Sequence, residues 1–471
     1  MTRGRLAVHA HLYQPLRVDP FSGHLPADPS AAPFHDWNTR IDAECYRPLA
    51  ERGTLANVSF DVGPTLASWL ETESPQTYHG LIAADRAAGG RGSAIAQSFH
   101  HSILPLASAA DRRTEIRWGL ADFRHRYGRE AEGLWLPETA VDLPTLRALV
   151  DEGVRYTILA PWQAAETALD TRRPYRVDLG GGRSIVIAFY DAGLSAAVSF
   201  EPSATSDADR FARERVAIRL AAPPDGGGTG PLALIATDGE LYGHHQQFRD
   251  LFLHRLVMPD PTGVDRGFDV VELASELIGP PVESFPVARI TERTSWSCHH
   301  GIARWTHECP DVPDGRWKGP LRAALEHLAG GIDALTESLS AGVEGSPDPW
   351  LARDEYVRVV LGAESADEFA ARWVGRKDDR PRFLELMEAQ RWRLAMFSSD
   401  AWFWEDPARS ETRQVLRFAA RAARILDGIA AGHLERRLVA DLGLLVSPGR
   451  GLDGAAIYRH ALSEVGQPGP V

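Results

Sequence analysis

Leu232-Ala-Leu-Ile-Ala-Thr-Asp238-Gly-Glu240-Leu-Tyr242-Gly-His244-His245 is a short apolar run that ends abruptly in acids and histidines. Similar runs occur at residues 6–11, 56–61, 94–99, 133–137, 156–160 and 184–190. Between them lie helical patterns, at 63–71, 110–127 and 142–152, the last opened by Asp142 with Pro144 in its first turn. Apolar runs alternating with helices indicate βα units and a parallel sheet. Seven strand candidates of this kind predict an α/β barrel rather than an open sheet.

Beyond about residue 316 the character changes. Stretches at 317–339, 354–361, 379–397 and 412–431 are rich in Ala, Leu, Arg and Glu at helical spacing and predict a helical domain. The expected division is a barrel over 1–315, carrying a loop at 291–310, and a helical domain over 316–471. A chain of 471 residues exceeds what one hydrophobic core normally serves, so two domains are in keeping with its length. The Gly- and Pro-rich segment at 223–231 is expected to be an exposed connection, and 466–471 a frayed tail.

Hydrophobic residues make up 44% and charged residues 24%, as in ordinary globular proteins. A formal net charge of −13 with no basic run argues against nucleic acid as a partner. The three cysteines, Cys45, Cys298 and Cys309, are too few and odd in number for a disulfide framework, which fits a reducing compartment. The N-terminal apolar stretch is too short for a signal-peptide core, and no 18-residue uncharged apolar run follows. A cytoplasmic location without membrane attachment is expected. Thirteen tryptophans can fill a core or form flat platforms for sugar rings.

Polar residues gather where the strand candidates end: His9-Ala-His11-Leu-Tyr13-Gln14, His100-His101, Trp135-Leu-Pro-Glu138 and Asp238 to His245. In a βα barrel the C-terminal strand ends converge on one face, so these four clusters predict one site. His9 and His11, two apart, point to the same side of a strand. Such a pair suits hydrogen bonds to sugar hydroxyls or metal ligation. Pro137 stiffens the backbone before Glu138, which suits a nucleophile; the alternative is a solvated glutamate before the next helix. Asp238 and Glu240 end an apolar run, as a reactive pair or as acids favoured at a helix N-terminus. Two carboxylates on one face are the minimum for cleaving a glycosidic bond, and Glu138 and Asp238 fill those roles.

These segments resemble the conserved regions of glycoside hydrolase family 57. His9-Ala-His11-Leu-Tyr-Gln-Pro is similar to its first region and His101-Ser-Ile-Leu-Pro-Leu to a second. Trp135-Leu-Pro-Glu138 resembles the region of its glutamate nucleophile, and Asp238-Gly-Glu240-Leu-Tyr-Gly-His244 that of its aspartate general acid/base. The resemblance implies an incomplete (β/α)7 barrel followed by a helical domain. It also implies a retaining hydrolase or transglycosylase acting on an α-glucan or maltooligosaccharide, as amylases, 4-α-glucanotransferases and branching enzymes do. Phe34-His-Asp-Trp-Asn38, Phe60-Asp-Val-Gly-Pro64, the segment from Thr294 to Gly301 and Trp402-Phe-Trp-Glu405 look like a subgroup whose C-terminal region has no known role.

Substrate contacts are expected from His9, His11, Gln14, His101, Trp135, Glu240, Tyr242, His244, Trp296 and His300, with no metal and no cofactor. In the loop after Thr294, Trp296, His300, Arg304 and Trp305 are read either as glucan contacts or as packing. Cys298, His299, His300, His307 and Cys309 form a conceivable zinc set, although Cys-x10-Cys is not a paired Cys-x2-Cys motif. Two rival readings remain. One is a zinc-dependent α-mannosidase-like hydrolase using His9, His11, Asp61 and His101; the other is a glucan-binding protein without turnover.

Overall fold

A computed structural model describes residues 3–221, 230–259, 263–343, 347–430 and 432–464. The segment at 222–229 and the tail from 465 lie outside the described residues, so the expected connection and frayed end are not addressed. Nine strands are described: β1 Gly4–Leu12, β2 Ser59–Val62, β3 Ala94–Gln97, β4 Leu134–Trp135, β5 Tyr156–Leu159, β6 Tyr175–Gly180, β7 Arg183–Phe189, β8 Leu232–Asp238 and β9 Phe268–Val270. All seven sequence-predicted strands are present.

The spatial order β4-β3-β2-β1-β8 is parallel throughout, with β9 parallel beside β1. A parallel bridge from Gly133 to Tyr156 continues the curl into β5, which pairs in parallel with β7. Between β7 and β8 the described residues form no ladder; one bond, Asp191 N to Leu234 O at 2.7 Å, crosses there. The barrel of seven parallel strands is therefore incomplete. β6 is an addition that the sequence reading missed, an antiparallel hairpin partner of β7 turned through Gly180, Gly181 and Gly182, all with positive φ.

Strand periodicity positions the site. Ala7 on β1, Ile95 on β3, Tyr156 and Ile158 on β5, Val186 and Ala188 on β7, and Leu232, Leu234 and Ala236 on β8 share one buried core. Each such Leu or Ile contributes about 2 kcal/mol by leaving water. Because side chains of like parity face the same way, the row Ala7 continues into His9 and His11, and the row Leu232, Leu234, Ala236 into Asp238. The apolar interior thus becomes polar at the strand ends.

The chain forms two compact units that interleave along the sequence. The barrel unit comprises Met1–Gln14, Asp28–Ser98 and Arg126–Trp296; the helical unit comprises Pro15–Ala27, Phe99–His125 and Ser297–Val471. The expectation drew a single cut at 316. Compactness instead groups two short earlier segments and the 297–315 stretch with the helices.

In the helical unit, Lys318–Ser340, Pro349–Val360, Arg380–Ala395 and Ser410–Ile429 correspond to the predicted helical stretches. No helix among the described residues is long and apolar enough to cross a membrane. Cys45, Cys298 and Cys309 are all buried free thiols.

Candidate active site

In the sheet register, His11 lies opposite Asp61 on β2 and opposite Asp238 on β8. This one row sets the electrostatics. Asp61, fully buried, holds both histidines, with His9 Nε2 at 3.0 Å from Oδ1 and His11 Nδ1 at 2.9 Å from Oδ2. Burial alone would pull His11 down, but Asp61, then Asp238 and Glu240, raise its pKa to about 9, so it is a cation at neutral pH. Burial dominates at His9 and lowers its pKa despite Asp61. A neutral His9 must donate from Nε2 to the carboxylate, so its Nδ1 accepts from the Ser59 hydroxyl at 3.0 Å. Both of its nitrogens are engaged, and a zinc ion at this pair would have to displace those bonds.

Asp238 ends β8 as an exposed residue flanked by buried Thr237, Gly239 and Glu240. Desolvation there pushes the carboxyl up to about 7; His11 opposes this, while Glu240, Glu138 and Asp61 reinforce it. Glu240 is buried and accepts hydrogen bonds from Tyr46 Oη and from Tyr13 N (3.2 Å). Gln14 Nε2 donates to the same Tyr46 hydroxyl at 3.2 Å. Gly243 lets this turn approach the backbone at Glu44, where a Cβ would lie 2.1 Å from the Glu44 carbonyl oxygen. His244 Nδ1 lies 2.5 Å from Glu44 Oε2.

Glu138 sits in a short turn, Pro137–Thr139, with φ 57° and ψ 20°, and Thr139 follows with φ 48°. Two successive left-handed non-glycine residues cost on the order of 1–2 kcal/mol each. The surrounding bonds hold them. Buried Gln163 donates from Nε2 to Thr139 O (2.8 Å) and accepts from Thr139 Oγ1 (2.8 Å), while Trp296 N donates to Glu138 O (3.0 Å). Trp296 Nε1 donates to Glu138 Oε2 at 3.1 Å, fixing one carboxylate oxygen.

Trp135 is fully buried, expected on the substrate but found beneath the histidines. Its ring stacks on His9 at 4.8 Å and His11 at 5.1 Å and meets the edge of Trp296 at 5.0 Å. Tyr242 is likewise buried, its hydroxyl 3.2 Å from that of Thr237, and burial raises it to about 12. Trp305, read as a sugar contact or packing, is fully buried packing. His101 and His300 belong to the helical unit, where His101 Nδ1 lies 2.7 Å from Ser399 Oγ and His300 Nδ1 lies 3.3 Å from Asp311.

The sequence reading overlooked Tyr46, Trp162 and Tyr190. Trp162, 47% exposed, stands edge-on to Tyr190 at 5.9 Å, and Tyr190 to Trp296 at 6.4 Å, an aromatic row that leads to Glu138. Trp162 and Tyr190 lie just past the ends of β5 and β7, where site residues were expected. Nothing in the sequence marks Tyr46.

Residues 43–262 match the model of glycosyl hydrolase family 57. Over that stretch, 220 of the 471 residues, the chain is similar to glycoside hydrolase family 57. Residues 314–465 match a domain of unknown function, DUF3536. An α-amylase of Pyrococcus horikoshii is 27% identical over 171 residues, covering 35% of this chain and 26% of that protein. A 4-α-glucanotransferase of Thermococcus litoralis is 25% identical over 165 residues, covering 33% and 24%. The chain thus matches about a quarter of the length of these relatives. The fold is shared with an exo-type maltose-forming amylase of Pyrococcus sp. ST04, at TM-score 0.72, 16% identity and 98% and 88% coverage. It is also shared with a family 57 branching enzyme of Pyrococcus horikoshii, at TM-score 0.59, 15% identity and 98% and 94% coverage.

Proposed function

We propose that the barrel unit of this protein cleaves or transfers α-glucan chains with retention of configuration, Glu138 acting as nucleophile and Asp238 as general acid/base. The carrying observation is the row that the sheet register sets at the strand ends, His11 between Asp61 and Asp238, where the Asp238 carboxyl, with Glu240, Glu138 and Asp61 nearby, is pushed up to about 7. A carboxylic acid that keeps its proton near neutrality beside a second carboxylate is what leaving-group protonation requires.

In the first step a Glu138 oxygen bonds to the anomeric carbon as the glycosidic C–O bond breaks. The bonding electron pair goes to the leaving oxygen, which takes the proton of Asp238. In the second step the Asp238 carboxylate takes a proton from water or from a sugar hydroxyl, whose oxygen attacks the anomeric carbon and frees Glu138. Water gives hydrolysis and a sugar hydroxyl gives transglycosylation. The two carboxyl groups should come within about 5–5.5 Å in the substrate complex.

His11 as a cation steadies the negative site, and His9, Asp61 and Trp135 hold His11 in place. Trp162, Tyr190 and Trp296 offer ring faces and edges to sugars, and Gln14, Glu240 and His244 offer polar contacts. No metal enters this chemistry.

The test is to incubate the purified protein with maltooligosaccharides, amylose and glycogen and resolve the products by length and linkage. Asp238→Asn, given an activated glycosyl donor, should accumulate a sugar esterified to the peptide that contains Glu138. A label on another carboxylate, or an Asp238→Asn variant that turns over natural glucans as the parent does, would overturn the assignment.

A further inference from the structure

We propose that the helical unit holds one structural zinc ion, ligated by Cys298, His300, Cys309 and Asp311. The four residues form two short pairs, Cys-x-His and Cys-x-Asp, eight residues apart. This spacing escapes a search for paired Cys-x2-Cys motifs.

One ligand atom from each residue lies within 4.8 Å of the others. The two sulfurs are 3.9 Å apart. Zinc bound to thiolates at about 2.3 Å in a tetrahedron sets its sulfurs about 3.8 Å apart. A disulfide would need about 2.05 Å, and both thiols are free. Softness points the same way, since two thiolates and an imidazole favour zinc over magnesium or calcium.

The backbone presents each pair from a turn. Gly301 N donates to Cys298 O at 3.1 Å, and Val312 N to Cys309 O at 2.9 Å. Asp311 is oriented from outside the ligand set, its Oδ2 accepting from His299 N at 2.8 Å. Such supporting bonds are the usual company of a metal ligand. The cysteines are buried while His300 is exposed, so the ion would enter from the histidine side.

Four protein ligands close the coordination sphere, which marks a structural rather than a catalytic site. There is work for one. From Thr291 to Trp317 the chain forms only two short 3-10 turns, Ala303–Trp305 and Gly315–Trp317, with isolated bridges at Thr294 and between Cys309 and Val312. A metal closing this loop replaces the cohesion that a helix or strand would supply. His300, expected on the substrate, is thereby reassigned to the ion.

Full-length protein expressed with zinc, purified under reductant and dialysed should carry about one zinc per chain by mass spectrometry of the metal. Cobalt in its place should give thiolate-to-cobalt charge-transfer absorption. Cys298→Ser and Cys309→Ser should lose the zinc. As these variants risk misfolding, His300→Ala is the second arm: at an exposed position it should keep its circular dichroism and bind zinc at least tenfold more weakly. His299→Ala, outside the ligand set, should bind as the parent does. Metal-free parent protein after zinc loading, a Cys298–Cys309 disulfide in the peptide map, or one equivalent of zinc retained by either serine variant would overturn the proposal.

Discussion

The two units each hold a charged cluster, and they treat it in opposite ways. In the helical unit, Asp111 is met by Arg353 at 2.9 Å and Arg393 at 2.7 Å. Arg393 also holds Asp333 at 2.7 Å, and Arg353 reaches Gln390 (3.1 Å) and Thr114 (2.9 Å). Burial alone would raise the Asp111 carboxyl, but the two guanidiniums hold it below the usual range. In the barrel unit, acids outnumber cations, and Asp238 is pushed up to about 7. Matched charges hold a fold together; mismatched charges keep a proton available for chemistry. The same residue types are structural in one unit and reactive in the other because of what stands beside them.

The largest effect expected is at Glu138. Glu138→Gln should cut turnover by about 10⁴-fold or more, since an amide is a far poorer nucleophile than a carboxylate, while glucan affinity stays close to that of the parent. Turnover within tenfold of the parent would remove the contrast between a reactive and a structural cluster. Next in size is a stability effect in the helical unit. Arg353→Met leaves Asp111 with half of its counter-charge and should cost about 3 kcal/mol by denaturant unfolding. Replacing the distant, exposed Arg376, which pairs with Asp378 at 3.9 Å, should cost less than about 0.5 kcal/mol.

Asp238 gives a pH signature of intermediate size. Leaving-group protonation needs its acid form, which is lost as pH rises through about 7. kcat/KM on natural glucans should therefore fall about tenfold per pH unit above that value. Donors with activated leaving groups should keep their first-step rate further into alkali. An alkaline limb first appearing near 9 would point to His11, raised to about 9, in place of Asp238.

Much of this was legible in the sequence. The seven parallel strands could be read because each is a short run buried on both faces, and the gathering of polar clusters at their ends because a barrel brings strand termini together. The convergence of His9, His11 and Asp238 follows from register alone: their row is the continuation of Ala7 and Leu232. What stayed hidden depends on the third dimension. Trp296 reaches Glu138 across 158 residues, Tyr46 meets Glu240 from a π-helical turn, and segments 15–27 and 99–125 group with the helices. No local pattern encodes such partners. Of the set Cys298, His300, Cys309 and Asp311, the sequence offered the first three among five candidates and missed Asp311. The cysteines alone gave an uninformative spacing, and only the fold shows which oxygen and nitrogen join them.

The smallest effect separates two uses of one side chain. Trp296 both donates its indole N–H to Glu138 Oε2 and stands edge-on to Trp135 and Tyr190. Trp296→Phe keeps a ring in the aromatic row and removes only the donor. A charge-assisted hydrogen bond contributes about 1.5–3 kcal/mol when buried, and Glu138 is only partly buried, so about 1.4 kcal/mol, or tenfold in kcat, is expected. KM should change by less than about twofold, because the ring that a sugar would meet is still there. Trp296→Leu, which removes ring and donor together, should add a rise in KM to the same loss in kcat. If Trp296→Phe instead raises KM and spares kcat, the indole serves the glucan and not the carboxylate, and Glu138 owes its orientation to the strained turn held by Gln163.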